Sequence, residues 1–284
     1  MSQMPVYYSA DYTAAKYAFD TTRKSAAVAR LIEPLVDLRV PDVTDFDLTR
    51  IHDPSYVRAV QTGTPEMLAS SQGFNWDPGI FTMARAHVNG LISAVADVLD
   101  PTTTVRRAGS LSSGLHHAER MFGNGFCTFN GLAAAATYAL EDMGAERVLV
   151  LDFDAHCGGG TMDIMGGVPG FVQWDISVSP YDGYTPTGEH RQWMSKGGSY
   201  IPDVVDMLAD LRYEKFDLIV YNAGVDPINC GVSAREVFLR EALVSDLIGD
   251  TPAIFALAGG YTWNVTMGEL AGLHEATVRE WALY

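Results

Sequence analysis

The chain has 284 residues, a formal net charge of −16 and three cysteines. That charge argues against direct nucleic-acid binding, which needs a basic surface, and the three cysteines imply no disulfide framework but fit a reducing compartment. With no signal peptide and no apolar run near 18 residues, the reading is one soluble, cytoplasmic α/β domain spanning residues 1–284, without a membrane partner.

In chain order, helical patterns are expected at Ser25 to Val36, Gly79 to Leu99, Gly131 to Met143, Ile201 to Leu211 and Ala234 to Gly249. Apolar β runs fall between them: around Val105 to Leu111, Arg147 to Leu151, Leu218 to Val220 and Ile254 to Ala258. Alternation of helix and strand predicts a doubly wound, mostly parallel sheet with helices on both faces. In such sheets ligands sit outside the carboxyl ends of the strands.

Four of those ends carry polar chemistry. The first strand runs into Ser113-Gly114-Leu115-His116-His117. Adjacent imidazoles near a metal can act as general base and electrostatic partner; a surface pair is the alternative. The second ends in Asp152-Phe153-Asp154-Ala155-His156-Cys157-Gly158. Asp154 and His156, spaced i, i+2, point to one side of an extended strand end, and a carboxylate with an imidazole suits a divalent transition metal. A helix-capping Asp is the plainer alternative. The third leads to Asp226, a carboxylate that would complete a three-ligand set and leave a coordination position open for water and substrate. The fourth precedes Gly259-Gly260-Tyr261, where the glycines allow a tight turn and the tyrosine hydroxyl could serve an oxyanion.

These blocks, in this order and spacing, resemble the zinc-dependent deacetylases: the histone deacetylase, acetylpolyamine amidohydrolase and acetoin-utilisation group, with the arginase–deacetylase fold and its eight-stranded type of sheet. The likeness runs from Arg23 through His116-His117, Gly125-Phe126-Cys127 and Asp152 to Gly160, to Asp226 and Tyr261. It implies one zinc ion, or ferrous iron, held by Asp154, His156 and Asp226. It implies His117 as the proton acceptor, His116 as an electrostatic partner bonded to Asp152, and Tyr261 as the oxyanion donor. A potassium or sodium site would use Asp152, Asp154, His156 and Ser177. Gly125, Phe126 and Tyr184 would wall an acyl channel, Asn75 or Asp77 would take the place of an acid that clamps the substrate, and Arg23 would either lie near an internal acetate channel or stand as an exposed arginine at a helix start.

One departure bears on mechanism. Relatives carry HHGDG or HHGNG where this chain has His156-Cys157-Gly158-Gly159-Gly160. Gly159 replaces the acid or amide that orients the base, so His117 either lacks its usual partner, finds another or binds water; it is expected to be less basic than in relatives, and Gly159→Asp to raise it. The substrate class is an acyl-lysine or a small acylated amine, with a cationic or neutral amine product. The charge of −16 is compatible with attracting cationic substrates, and equally with ordinary acidic solubility; the oligomeric state is open. Two other functions stand beside this one: a dimanganese, arginase-like ureohydrolase, for which the second metal lacks ligands here, and a catalytically weak acyl-compound-binding protein.

Overall fold

The computed structural model describes residues 3–16, 19–196 and 198–283. Eight strands form one sheet: β1 (Pro5–Tyr7), β2 (Asp37–Arg39), β3 (Arg107–Ser110), β4 (Val148–Asp152), β5 (Phe171–Ser177), β6 (Arg191–Met194), β7 (Leu218–Asn222) and β8 (Ala253–Ala256). Their order is β2-β1-β3-β8-β7-β4-β5-β6. All seven pairings are parallel, so the expectation of a mostly parallel eight-stranded sheet holds.

The helices are α1 (Asp20–Ile32), α2 (Pro54–Thr62), α3 (Glu66–Ala69), α4 (Gly79–Leu99), α5 (Gly131–Glu141), α6 (Gly159–Met165), α7 (Tyr200–Leu211), α8 (Ala234–Ile248) and α9 (Met267–Trp281). The central strands are apolar on both faces, as parallel strands covered twice must be. Successive residues alternate between two cores. Leu149, Leu151, Ile219, Tyr221 and Phe255 join α1, α7, α8 and α9 in one core. Val148, Val150, Leu218, Val220, Ile254 and Ala256 join α2, α4 and α5 in the other. No described helix is long and apolar enough to cross a membrane.

This topology gathers the carboxyl ends of β3, β8, β7 and β4 side by side at the middle of the sheet. The register is set so that Asp152 lies opposite Asn222 on β7 and Asp175 on β5. The loops leaving these strands therefore meet at one place.

Candidate metal centre and its surrounding pocket

Asp154, His156 and Asp226 are brought together with their ligand atoms all within 4.8 Å of one another. His156 Nδ1 lies 3.1 Å from Asp154 Oδ1 and 3.3 Å from Asp226 Oδ2. The backbone braces the set: Ala155 N donates to Asp226 Oδ1 at 2.9 Å, and His156 N donates to Asp154 Oδ1 at 3.0 Å. Gly224 and Gly259 pass so close that a Cβ on Gly259 would sit 2.3 Å from Asp226 Oδ1 and 2.6 Å from Asp154 Oδ2.

Two facing carboxylates under 4 % exposed require a compensating cation. Burial and the neighbouring Asp154 push the Asp226 carboxyl up to about 6. Burial works against charge on His156 too, but Asp154 and Asp226 hold its imidazole up to about 11. A dication on these ligand atoms would neutralise both acids, and Asp226 Oδ2 is buried with no hydrogen-bond partner. Two carboxylates and one imidazole nitrogen are the donor set of a catalytic divalent site, so these residues fit the expected metal.

His116 and His117 sit beside this cluster, their rings 4.0 Å apart between centroids. His116 Nδ1 is 2.8 Å from Asp152 Oδ2. Burial opposes its charge, but Asp152 and Asp154 hold the imidazole up to about 10. Asp152 is held in turn by Asn222 Nδ2, which donates at 2.8 Å. The expected pairing of His116 with Asp152 is present, and Asn222 is a contributor the sequence did not reveal.

The loop bearing the two histidines is fixed from below by other buried histidines. Ser113 N donates to His87 Nδ1 at 2.9 Å. Asn130 Nδ2 donates to the carbonyls of His116 and Ala118, and Asn130 N donates to His52 Nε2 at 3.0 Å. Leu115 bends through φ 55° within this loop.

Of the outcomes open for His117, the structure shows a different partner. His117 Nδ1 lies 2.7 Å from Asp182 Oδ2, a carboxylate delivered by the loop after β5. Gly159 has no side chain because Asp182 fills the space: a Cβ there would be 2.3 Å from Asp182 O and 2.4 Å from its Oδ1. Burial and the charged His116 push the His117 imidazole down to about 4, against the upward pull of Asp182.

The pocket above the cluster is lined by Gln72, Gly73, Asn124, Gly125, Phe126, Tyr181, Tyr261 and Trp263 around His117 and His156. Gly125 turns through φ 51° and Phe126 through φ 64°, and a Cβ on Gly125 would strike His117 Cδ2 at 2.5 Å. Only a glycine lets this loop pass flat over the imidazole. Phe126 stacks on Phe19 with centroids 4.6 Å apart. Tyr261 stacks on Trp263 at 4.5 Å and meets Phe19 edge-on.

Several expected positions move. Tyr184 does not wall the pocket; its hydroxyl donates to Arg191 O at 3.2 Å and accepts from Gln173 Nε2. Tyr181 takes that place, edge-on to His117 at 5.0 Å and to His156 at 5.8 Å. The two differ by one turn of a loop whose spacing carries no period. Asn75 is exposed and outside the lining, while Asp77 accepts from Gly79 N at 2.8 Å at the start of α4. Ser177 donates its hydroxyl to Asp175, a fully buried acid on β5 that the sequence reading passed over. Arg23 faces solvent, paired with Asp20 at 3.0 Å. Lys24 is the inward cation, fully buried, donating to Gly259 O at 2.6 Å and Ala258 O at 3.2 Å. Burial lowers it to about 7.

The histone deacetylase domain profile matches residues 15–205. The chain belongs to the histone deacetylase family. An uncharacterized protein of the cyanobacterium Picosynechococcus sp. is 29% identical over 82% of this chain and 80% of its own length. The polyamine deacetylase HDAC10 of Homo sapiens is 30% identical over 54% of this chain, and the match spans 26% of that protein. The acetoin utilization protein AcuC of Staphylococcus aureus is 27% identical over 47% of this chain and 36% of its own length.

Proposed function

We propose that this deacetylase-family protein is a zinc-dependent amidohydrolase that removes an acetyl or similarly small acyl group from an amine. The observation that carries the reading is one pocket floor holding a three-ligand cluster (Asp154, His156 and Asp226) and two His–Asp pairs, with Tyr261 on its wall. A divalent ion on those ligands would polarise the amide carbonyl and make water a nucleophile near neutral pH.

The rest is the work of the chain's own groups. The His117 Nδ1 proton is committed to Asp182, which leaves Nε2 as the unprotonated nitrogen able to take a proton from water. The same nitrogen returns a proton to the departing amine. His116, held cationic between Asp152 and Asp154, favours negative charge building on the acyl carbon's oxygen. Tyr261 retains its hydroxyl proton, since burial and then Asp226 and Asp154 raise its pKa far above neutrality, so it can donate a hydrogen bond to that oxygen. Phe126, Tyr181 and Trp263 give the mouth flat apolar walls suited to a methylene stem.

The substrate is an acylated amine. Acetylpolyamines and acetyl-lysine are the first classes to try, because the matching region of HDAC10 belongs to a polyamine deacetylase. The test is a screen of the zinc-loaded protein on acetyl-lysine peptides, acetylpolyamines and small acetamides, alongside elemental analysis. One zinc per chain with acetate release supports the proposal. Two tightly bound manganese ions with urea release from a guanidino substrate would replace it with a ureohydrolase. Absence of turnover by the metal-loaded protein on all three classes would leave a binding protein.

A further inference from the structure

The loop that follows β5 does two things at once. Its Tyr181 ring stands edge-on to His117 and His156 in the pocket wall. The next residue, Asp182, reaches His117 Nδ1 at 2.7 Å and also accepts from Gly160 N at 3.0 Å. Its side chain is 10% exposed and that of His117 is 6%, so little water competes for the bond. The backbone at Asp182 is left-handed, φ 59°, a conformation unfavourable for an L-residue that persists where its surroundings impose it.

The loop is fastened on every side. Val178 N and Ser179 N donate to Ala155 O, and Cys157 N donates to Tyr181 O at 3.0 Å. Tyr181 Oη donates to Asn124 Oδ1 at 2.6 Å. The half-buried Tyr184 ties the far end down by donating its hydroxyl to Arg191 O at 3.2 Å. The segment 155–160 and the loop 178–184 are thus zipped together, and Gly159 is the contact point where any side chain would force them apart.

We propose that loop 178–184 is a single functional unit: Asp182 positions His117 as the proton acceptor, and because Tyr181 is its neighbour, the geometry of the substrate wall and the orientation of the base are set together. Asp182 touches the imidazole and not the substrate, so it is a positioning residue. The inference rests on the amidohydrolase reading above for its catalytic consequence, but not for its structural one.

Physically, the carboxylate fixes the Nδ1–H tautomer and the ring angle. Without it the imidazole is free to turn or to carry its proton on Nε2, where it cannot accept one. Supporting groups of this kind are worth about 10–100-fold. A side chain at Gly159 would have the same effect from a distance, since it displaces Asp182 without touching His117. It would also move Tyr181 and so weaken substrate binding.

Three variants test this: Asp182→Asn, which keeps an acceptor oxygen, Asp182→Ala, and Gly159→Ala. The first readout is the imidazole ¹H–¹⁵N spectrum of the metal-free protein, independent of activity. The His117 Nδ1–H signal should be present in wild type and in Asp182→Asn, and lost in Asp182→Ala and Gly159→Ala. The second is kinetics of the zinc-loaded protein on whichever acyl amide the wild type hydrolyses. Asp182→Ala should lower kcat about 10–100-fold with KM within about threefold, Asp182→Asn should recover most of that loss, and Gly159→Ala should lower kcat and raise KM together. A wild type without turnover overturns the amidohydrolase reading and leaves the spectroscopic arm standing. An unchanged His117 signal and kcat in Asp182→Ala overturns the positioning role. An unchanged KM and kcat in Gly159→Ala overturns the unity of the loop.

Discussion

Acid should destabilise this protein through His52, a residue outside the pocket. His52 Nδ1 lies 2.8 Å from Glu119 O, and a carbonyl only accepts, so Nδ1 carries the proton. Nε2 accepts from Asn130 N and must be bare. Adding a second proton would set two N–H groups against each other in a buried site. Burial, the largest cause, lowers the imidazole to about 4, against about 6.5 in the unfolded chain. The folded value is the lower one, so between these values the unfolded chain binds the extra proton and stability falls as pH drops through the window. At pH 5 the difference amounts to about 2 kcal/mol; near pH 7 it is close to nothing. His52→Gln can keep both bonds and cannot titrate. Urea unfolding at pH 7 and pH 5 should show a loss about 2 kcal/mol smaller in this variant than in wild type, because every other titrating group cancels in the comparison. Equal losses in the two proteins would refute the neutral, single-tautomer assignment.

Other expectations concern the pocket. Tyr261→Phe should lower kcat by about 10²–10³ and leave divalent-metal content and thermal midpoint unchanged; a variant keeping most of its kcat on a confirmed substrate would remove the hydroxyl from the mechanism. Gly259→Ala places a Cβ against both Asp226 and Asp154 in a backbone at φ 47°, so elemental analysis after loading with a divalent metal should find the ion lost or strongly depleted; full occupancy would show that the turn can yield.

The sequence made the sheet and the ligand cluster legible because both follow from local rules. Asp154 and His156 stand two and four residues beyond the end of β4, and Asp226 four beyond the end of β7, and parallel topology does the rest. Helix α4 matches its expected bounds of Gly79 to Leu99, since its apolar pattern is long and uninterrupted. The edge strands β2 and β6 and the adjoining β1 have three or four residues each, too few for a period to show. Helix α1 begins at Asp20, five residues before its expected start, and its buried face runs through Lys24, Ser25, Val28 and Ile32. That phase turns Lys24 inward and Arg23 outward, and a lysine in a buried stripe defeats a reading based on hydrophobicity. Asp182 was hidden for another reason. It lies 65 residues from His117, and only chain folding reveals that a gap at Gly159 and an acid elsewhere are complementary.

Leu115, Phe126 and Asp182 are the three non-glycine residues with left-handed backbone among those described, and each belongs to a different loop over the cluster. Glycine at any of them would relax the local conformation. It would also remove the side chain that packs the histidine loop, faces the mouth or holds the base. Leu115 is buried against Ala118 and Cys127, and the packing lost there outweighs the relaxed backbone. Selection for heat resistance alone would therefore keep it and drift toward glycine at the half-exposed Phe126, eroding the mouth, whereas joint selection for heat resistance and turnover would leave all three untouched and find its gains in the helices on the outer faces.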